Sequence, residues 1–360
     1  MDHSDIRVLE INTNEFKNNF FKIQKYLEND VEIMPIIKAN GYGTYIDKNL
    51  ELIKEFKIVG VANVDEGENL RKIGYENEIF ILNQPHESEI DKITKNNLTI
   101  GISSLEFVEK LNCCNQKIKV HLEIDTGMGR NGIYYEKLKD FIKALGDNIK
   151  VEGIYTHFSS ADSDFEYTQK QIDIFNKAIK ESEKLLGKIK YKHAGASNGI
   201  INFKDSHFNM VRPGILIYGY KSFDDVYKKI DVKPIAKLKC RITYIKEVDE
   251  GSSISYGRTF ITSRKTKVAT IPIGYADGIR RQLSNNGYVV INSKKAKILG
   301  TVCMDSIMVD ITNIEDAKVG DYAYIWDNEI ITLEEVAKRC DTINYEILCN
   351  ISDRVKRIFL

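Results

Sequence analysis

Short apolar runs alternate with polar stretches of helical period along the first two-thirds of the chain. The length and continuous apolar character of these runs are typical of strands buried on both faces. Eight parallel strands with helical crossovers predict an α/β fold that begins with an N-terminal (β/α)8 TIM barrel. The strand segments are 32–38, 57–63, 78–83, 98–103, 117–125, 150–158, 190–197 and 208–218, and the helical stretches include 64–73, 86–95, 134–145 and 167–186.

The pattern changes after about residue 230, where Gly and Ser turns separate β-rich segments without helices between them. This pattern, seen in 236–260 and 288–312, predicts a C-terminal mostly-β domain. One short helix is predicted at 332–340. We therefore expect two domains: a barrel over 12–232, and a β domain over 233–360 that also takes in an N-terminal strand at 1–11.

The composition narrows the function classes. The 360 residues are 42% hydrophobic and include 52 basic and 52 acidic side chains. Balanced charge gives no field for nonspecific binding of nucleic acid or of an anionic membrane. No apolar run approaches the ~20 residues of a membrane span, and the N-terminus has no signal-peptide pattern. Six scattered cysteines without metal-ligand spacing indicate reduced thiols, no metal site and a cytoplasmic location.

The stretch EIMPIIKANGYG, residues 32–43, places Lys38 at the end of a buried strand. An ammonium against an apolar wall is costly unless it is paired or neutralised. Lys38 therefore either extends to water or has a chemical role. Active sites of such barrels lie where the strands end, which favours a chemical role for Lys38. Further polar residues are expected at the same edge of the barrel. These are Arg130, His157, Ser197 and Arg212.

A lysine with a desolvated side chain has a lowered pKa and can form a Schiff base. Pyridoxal phosphate is the best-known aldehyde partner of such a lysine. Its phosphate needs a cradle, which the backbone N–H groups of Gly214 and Ile215 and the Ser197 hydroxyl could provide. Tyr42 could add a phenol, and His157 could lie against the ring. Spacing alone leaves these roles open.

The motifs along the chain resemble those of the alanine racemase family, the fold-type III pyridoxal-phosphate enzymes with an N-terminal barrel and a C-terminal β domain. IIKANGYG resembles the Schiff-base lysine motif of that family. Further blocks follow in the family's order between residues 8 and 359. They are DTGMGRNG, IYTHFSSAD, VRPGILIYG, SYGRTF, IPIGYADG, GTVCMD and RVKRIF.

The resemblance implies a two-base racemase of alanine that supplies D-alanine for the cell wall. Lys38 would hold pyridoxal 5'-phosphate and act as one acid/base group, and Tyr256 would be the other, reaching in from the second subunit of a homodimer. The β domain would thus complete the partner's active site. Inversion needs such groups on opposite faces of Cα.

The other site residues implied by the resemblance fall into two sets. Arg212 would bond the pyridine nitrogen, and because arginine keeps its proton, the ring would stay a weaker electron sink. The remaining cofactor contacts would be His157, Tyr42, Ser197, Gly214 and Ile215. The substrate end would be shaped by Arg130, Tyr275, Met304, Asp305 and Asp353.

Three positions depart from the family's pattern. Glu123 stands where many members have a lysine, often carbamylated, that holds the active-site arginine; a carboxylate could orient Arg130 directly. Ala196 replaces a common asparagine. Asp353 stands where alanine racemases usually carry a tyrosine. A wider, acidic pocket would suit serine, or a basic amino acid such as lysine, ornithine or arginine, so both stay open as alternative substrates.

Two other classes share the barrel. Basic amino acid decarboxylases use an acidic residue at the pyridine nitrogen, and Arg212 argues against them. The small pyridoxal-phosphate-binding proteins that lack robust turnover have a single barrel. They have no β domain to carry a residue such as Tyr256.

Overall fold

All eight predicted barrel strands are present in the computed structural model, which describes residues 5–221 and 230–360. Strand β1 (Arg7–Ile11) precedes them. The barrel strands are β2 (Glu32–Ile33), β3 (Ile58–Val61), β4 (Glu78–Ile81), β5 (Thr99–Ile102), β6 (Ile118–Glu123), β7 (Ile149–Tyr155), β8 (Tyr191–Ala196) and β9 (Met210–Arg212).

These eight strands form one parallel sheet in the order β2-β9-β8-β7-β6-β5-β4-β3. A parallel bridge between Ile36 and Gly60 joins the two ends of the sheet. The Ile37 N–H donates to the Gly60 carbonyl over 3.0 Å, and the Gly60 N–H donates to the Pro35 carbonyl over 2.9 Å. The sheet therefore closes, and the predicted (β/α)8 barrel is confirmed.

Helices lie between the barrel strands and in the C-terminal part. They are α1 (Thr13–Tyr26), α2 (Lys38–Tyr42), α3 (Leu50–Ile53), α4 (Val64–Lys72), α5 (Ile90–Lys95), α6 (Leu105–Asn112), α7 (Leu138–Lys143), α8 (Phe165–Leu186), α9 (Ser197–Asn202), α10 (Leu333–Arg339) and α11 (Asn344–Cys349). None of the helices in residues 5–221 and 230–360 combines the length and apolar character that a membrane span needs.

Helix α8 shows how the sequence sets these helices. The Asp164 side chain caps its start by accepting from the Tyr167 N–H over 2.9 Å. Gly187, at φ 80°, ends it. Its buried residues, among them Ile172, Phe175 and Ile179, recur at helical spacing and pack into the hydrophobic core.

The C-terminal part is mostly β, as predicted. Its strands are β10 (Ala236–Arg241), β11 (Tyr244–Val248), β12 (Ser253–Ile254), β13 (Phe260–Ile261), β14 (Thr266–Ile271), β15 (Tyr288–Ile291), β16 (Lys294–Lys297), β17 (Ile307–Asp310), β18 (Tyr322–Trp326) and β19 (Lys356–Phe359). A six-stranded sheet has the order β16-β15-β18-β10-β1-β19, so the N-terminal strand pairs antiparallel with β10 and parallel with β19. Residues 1–4 and 222–229 of the expected domains lie outside the described residues.

The last barrel strand is shorter than the predicted 208–218. It ends at Arg212 because Pro213 has no N–H to continue the ladder. The next N–H groups turn away from the sheet, and those of Gly214 and Leu216 both donate to the Ser197 hydroxyl, each over 3.2 Å. The strand therefore gives way to a loop at the carboxyl edge of the barrel.

Candidate active site

Lys38 begins a left-handed turn at the carboxyl edge of the barrel. Ala39, Asn40, Gly41, Tyr42 and Gly43 have φ of 55°, 53°, 57°, 55° and 77°. A left-handed helical conformation costs roughly 1–2 kcal/mol for each residue other than glycine. Such a turn persists only where its surroundings hold it, and strain of this kind concentrates at functional sites.

One side chain, that of Glu66, holds the start of this turn to the barrel. The Glu66 carboxylate accepts from the Ala39 N–H over 2.8 Å and from the Ala62 N–H over 2.7 Å, one bond at each oxygen. The far end of the turn meets the C-terminal segment. A Cβ on Gly43 would lie 2.3 Å from the Leu348 carbonyl oxygen, so only glycine fits there. The Arg357 Nε donates to the Gly43 carbonyl over 3.0 Å.

The turn borders a cavity of about 660 Å³. Eight predicted site residues line it together: Lys38, Tyr42, Arg130, His157, Ser197, Arg212, Gly214 and Ile215. The sequence-predicted cofactor set is thus gathered around one space, large enough for a drug-sized ligand.

Lys38 is half-buried at the edge of this cavity. Burial lowers its pKa, and the positive charges of Arg130 and Arg212 lower it further, while Glu66 and Cys349 oppose them. A lower pKa leaves more of the amine unprotonated near neutral pH. Only the unprotonated amine can attack a carbonyl or accept a proton.

Arg212 lines the cavity with a side chain that is almost fully buried, 2% exposed. Its Nη2 donates to the Thr156 carbonyl over 2.7 Å and to the Ala194 carbonyl over 3.0 Å, and its Nη1 lies 2.8 Å from His193 Nδ1. Burial lowers the pKa of Arg212 to about 10, so the guanidinium remains charged near pH 7. The side chain is therefore a fixed cation.

His157 lies beside this cation, with its Nδ1 3.4 Å from Arg212 Nη2. Burial, then the charge of Arg212, lowers the pKa of His157 to about 3. The imidazole is therefore neutral over the working range of most enzymes. A neutral ring can pack flat against a planar ligand without a charge to desolvate.

A further group of residues at the cavity brings hydroxyl, phenol and backbone N–H groups close together. The Ser197 hydroxyl accepts hydrogen bonds from the Gly214 and Leu216 N–H groups just after β9 ends. A Cβ on Gly214 would lie 2.4 Å from the Tyr42 hydroxyl, so glycine is required for the phenol to reach this loop. Hydroxyl, phenol and backbone N–H donors are the groups that bind phosphate. Together with Lys38, they fit pyridoxal phosphate.

The other five predicted site residues lie elsewhere, and four of them lie close together. Tyr256, 72% exposed, Met304 and Asp305 line a second cavity of about 330 Å³ with no lining residue in common with the first. Tyr275, 43% exposed, adjoins them because its N–H donates to the Cys303 carbonyl over 3.0 Å. The structure thus groups Tyr256, Tyr275, Met304 and Asp305 on an open surface of the β domain, which we call the Tyr256 surface.

Comparisons with known proteins identify the family of the chain. The model for the N-terminal domain of alanine racemase matches residues 11–222, and that for the C-terminal domain matches residues 235–359. The chain belongs to the alanine racemase family. It is therefore an isomerase of the racemase type.

Individual relatives cover nearly the whole chain. The alanine racemase of Halothermothrix orenii is 40% identical over 360 residues, or 97% of this chain and 95% of the relative. That of Carboxydothermus hydrogenoformans is 39% identical over 363 residues, or 98% of each. The solved structure of alanine racemase from Clostridium difficile 630 has a TM-score of 0.93 at 36% identity, covering 99% of this chain and 96% of that one.

Two departures from the alanine racemase pattern can now be placed. Glu123 is buried, and its Oε2 has no hydrogen-bond partner among the described residues. Burial raises its pKa, against a bond from Tyr155 and the charge of Arg130. No ion pair joins Glu123 to the exposed Arg130 within residues 5–221 and 230–360. Asp353 is exposed, does not line the 660 Å³ cavity, and accepts a hydrogen bond from the Tyr45 hydroxyl.

Sequence reasoning missed several residues of the candidate site. Glu66 holds the lysine turn, and His193 holds Arg212. Tyr345 and Cys349, both in α11, line the cavity from the C-terminal part. A cue existed for Glu66 only, since Asn63 and Glu66 have the spacing of a helix cap. The others meet the site through tertiary contacts that no local pattern encodes.

Proposed function

We propose that this protein interconverts L- and D-alanine with pyridoxal 5'-phosphate as cofactor. The observation that carries the proposal is Lys38, an amine of lowered pKa on a strained turn that lines one cavity with Tyr42, Ser197 and Gly214. Alanine as substrate is supported by full-length similarity to enzymes named alanine racemase. Pyridoxal phosphate, when bound, supplies an electron-withdrawing ring that stabilises negative charge at the substrate Cα.

The residues of the cavity would hold and orient this cofactor. Lys38 Nζ would join its aldehyde carbon, and Tyr42, Ser197, Gly214 and Ile215 would hold its phosphate. Arg212 would donate to the ring nitrogen. Since the guanidinium keeps its proton at a pKa of about 10, that nitrogen would remain unprotonated. His157 would pack on the ring as a neutral imidazole.

Racemisation needs two proton-transfer groups on opposite faces of Cα. In this proposal Lys38 Nζ takes or returns the proton on one face and the Tyr256 hydroxyl does so on the other. Tyr256 is exposed and lies apart from the Lys38 cavity within one chain. We therefore infer a homodimer in which the Tyr256 surface of each chain closes the Lys38 cavity of the other. Arg130 would bind near the substrate carboxylate, and Tyr275, Met304 and Asp305 would border the substrate.

The domain division follows the same logic. Residues 12–232 would form the cofactor-binding barrel. Residues 233–360, with the N-terminal strand, would form the domain that completes the partner's active site. The pairing of β1 with β10 and β19 supports this assignment. A cytoplasmic location and a role in supplying D-alanine for the cell wall remain predictions.

Asp353 bears on the alternative substrates. A carboxylate that selected serine or a basic amino acid would face the Lys38 cavity, whereas Asp353 is engaged with Tyr45 outside its lining. Alanine therefore ranks first. Incubation with a panel of L-amino acids, followed by chiral chromatography, tests this ranking. We expect the highest rate on alanine; faster racemisation of serine, lysine, ornithine or arginine would contradict it. Release of carbon dioxide would indicate a decarboxylase instead.

A second experiment tests the roles of Lys38 and Tyr256. Lys38→Ala should abolish borohydride-trapped attachment of the cofactor. Tyr256→Phe should keep cofactor absorbance but slow exchange of the Cα proton for one enantiomer more than for the other. Equal slowing for both enantiomers would count against the two-base assignment.

A further inference from the structure

Two adjacent residues near the C-terminus contact different parts of the molecule. Asp353 bonds to Tyr45, which follows the left-handed turn that begins at Lys38. Arg354 bonds to Asp305 on the Tyr256 surface. One peptide bond therefore separates a contact to the lysine turn from a contact to the surface proposed to serve the partner.

The Asp353 contact fastens the lysine turn of its own chain. The Tyr45 N–H donates to the Asn40 carbonyl over 2.8 Å, which ties the tyrosine to the turn. Arg357 is on the same C-terminal segment as Asp353, and its guanidinium lies 4.4 Å from the centre of the Tyr45 ring. Since Tyr45 itself has a left-handed φ of 64°, it needs such anchors to keep its place.

The Arg354 contact organises the Tyr256 surface. Arg354 Nη2 lies 2.7 Å from Asp305 Oδ1, and its Nε lies 3.2 Å from Asp277 Oδ1. Asp277 is fully buried, and its Oδ2 accepts from the Gly274 N–H over 2.8 Å, just before Tyr275.

Because Arg354 contacts the buried Asp277 carboxylate, its structural role exceeds that of an exposed ion pair. Apart from Arg354, Arg7 at 3.5 Å is the ion-pair partner of Asp277 Oδ1 among the described residues. An exposed pair such as Arg354–Asp305 contributes little by itself. A buried charge that loses a partner, by contrast, forces its surroundings to rearrange. Arg354 therefore fixes the loop that carries Tyr275 and the loop that carries Asp305.

We propose that Asp353 and Arg354 are positioning residues for two different active sites, Asp353 for that of its own chain and Arg354 for that of the partner copy. This inference rests on the proposed shared-site homodimer. Neither side chain is required to touch the substrate: Asp353 acts through Tyr45 and the lysine turn, and Arg354 acts through Asp277 and Asp305.

Hybrid dimers with a single working site test the proposal. Chains with two different affinity tags are dissociated, mixed, reloaded with pyridoxal phosphate and purified for both tags. Pairing a chain with a Lys38→Ala partner leaves one site, built from the chain's own Lys38 and the partner's Tyr256. Pairing it with a Tyr256→Phe partner leaves the converse site, in which the chain supplies only its Tyr256 surface.

We expect the two variants to give opposite patterns. Asp353→Ala should lower kcat/KM by roughly tenfold in the hybrid with Lys38→Ala, which is within the range by which misplaced groups slow reactions. In the hybrid with Tyr256→Phe, the same variant should have the kcat/KM of the corresponding wild-type hybrid. Arg354→Gln should do the reverse. Asp305→Asn, a milder change on the exposed end of the same contact, should follow Arg354→Gln, and Arg354→Lys should recover part of the loss.

A spectroscopic measurement separates positioning from general damage. Asp353→Ala should shift the pH at which the absorbance of the bound cofactor changes in a homodimer, because it moves the lysine turn, whereas Arg354→Gln should not. Equal losses in both hybrids for either variant, or no loss in any hybrid, would overturn the inference. Lack of activity in the hybrid of Lys38→Ala with Tyr256→Phe would instead refute the shared site itself, so the two failures are distinguishable.

Discussion

Arg212 Nη1 and His193 Nδ1 lie 2.8 Å apart, and this contact fixes the protons of two buried histidines. The guanidinium can only donate, so His193 Nδ1 accepts and the His193 proton is on Nε2. That nitrogen lies 2.8 Å from His121 Nδ1, which must accept in turn. The His121 proton is then on Nε2, which has no hydrogen-bond partner among the described residues. The Arg212 guanidinium therefore donates into a chain of two neutral imidazoles, His193 and then His121.

We predict that these histidines make stability depend on pH. Burial lowers the pKa of His121 to about 3 and that of His193 well below its usual value. The unfolded chain binds protons near pH 6.5 and the folded chain does not, so stability falls as pH drops below 6.5. Each such histidine contributes roughly 1.4 kcal/mol per pH unit. Urea unfolding of His121→Phe between pH 6 and pH 4 should show a shallower loss than the wild type.

A packing control separates titration from core damage in this experiment. Phe80 stacks on His121 with ring centres 4.5 Å apart. Phe80→Leu disturbs the same packing but removes no histidine, so its stability should be lower at every pH with the slope of the wild type. If Phe80→Leu and His121→Phe changed the slope alike, the titration account would be wrong.

Arg130→Gln should raise the pKa of Lys38. Arg130 is the largest charge effect that lowers this pKa, second only to burial. The apoenzyme should then attach pyridoxal phosphate more slowly at pH 7 to 8, with its rate profile shifted to higher pH. Stopped-flow absorbance over a pH series measures this. Arg281→Gln, a change at an exposed arginine that does not act on Lys38, should leave the profile in place.

Glu66→Gln should shift the same profile in the opposite direction. The Glu66 charge raises the pKa of Lys38, so its removal lowers that pKa. The amide also has one acceptor oxygen for two N–H donors, Ala39 and Ala62, and its NH2 group would face one of them. We therefore expect a profile at lower pH together with a smaller saturating rate. A shift toward higher pH would contradict the charge assignment.

Gly214→Ala should weaken cofactor binding through Tyr42. The new Cβ would lie 2.4 Å from the Tyr42 hydroxyl and 3.2 Å from the ring carbon that bears it. Tyr42→Phe removes the atom that clashes. The double variant should therefore bind pyridoxal phosphate more tightly than Gly214→Ala alone, although Tyr42→Phe by itself weakens binding. Fluorescence titration of the four apoproteins gives this cycle, and simple additivity would show that the clash is not the cause.

The sequence identifies the barrel and the residues of its edge because both depend on local pattern. Strands such as Ile58–Val61 are buried throughout, so they appear as continuous apolar runs. Lys38 stands out because a charge at the end of such a run breaks the pattern. The β-strand expected to reach residue 218 ends at Arg212, where Pro213 interrupts the ladder; that proline was visible in the sequence.

Other parts of the site depend on contacts that no window of sequence contains. Ala39 and Asn40 adopt left-handed φ only because Glu66 and the C-terminal segment hold the turn. Asp353 was expected at the substrate, yet it bonds to Tyr45, 308 positions away in the chain. The His193–His121 pair likewise forms only when the closed barrel brings side chains of β8 and β6 together across its interior.

The bond from Arg357 to Gly43 spans 314 positions of the chain. A ribosome makes the chain from the N-terminus, so the lysine turn emerges long before the residues that clamp it. The barrel strands can assemble in the meantime, but the turn acquires its fixed shape only after Arg357 has been made. Uptake of the proposed cofactor is thereby deferred until those residues have been made, and ribosome-bound fragments that stop short of residue 357 should not retain it.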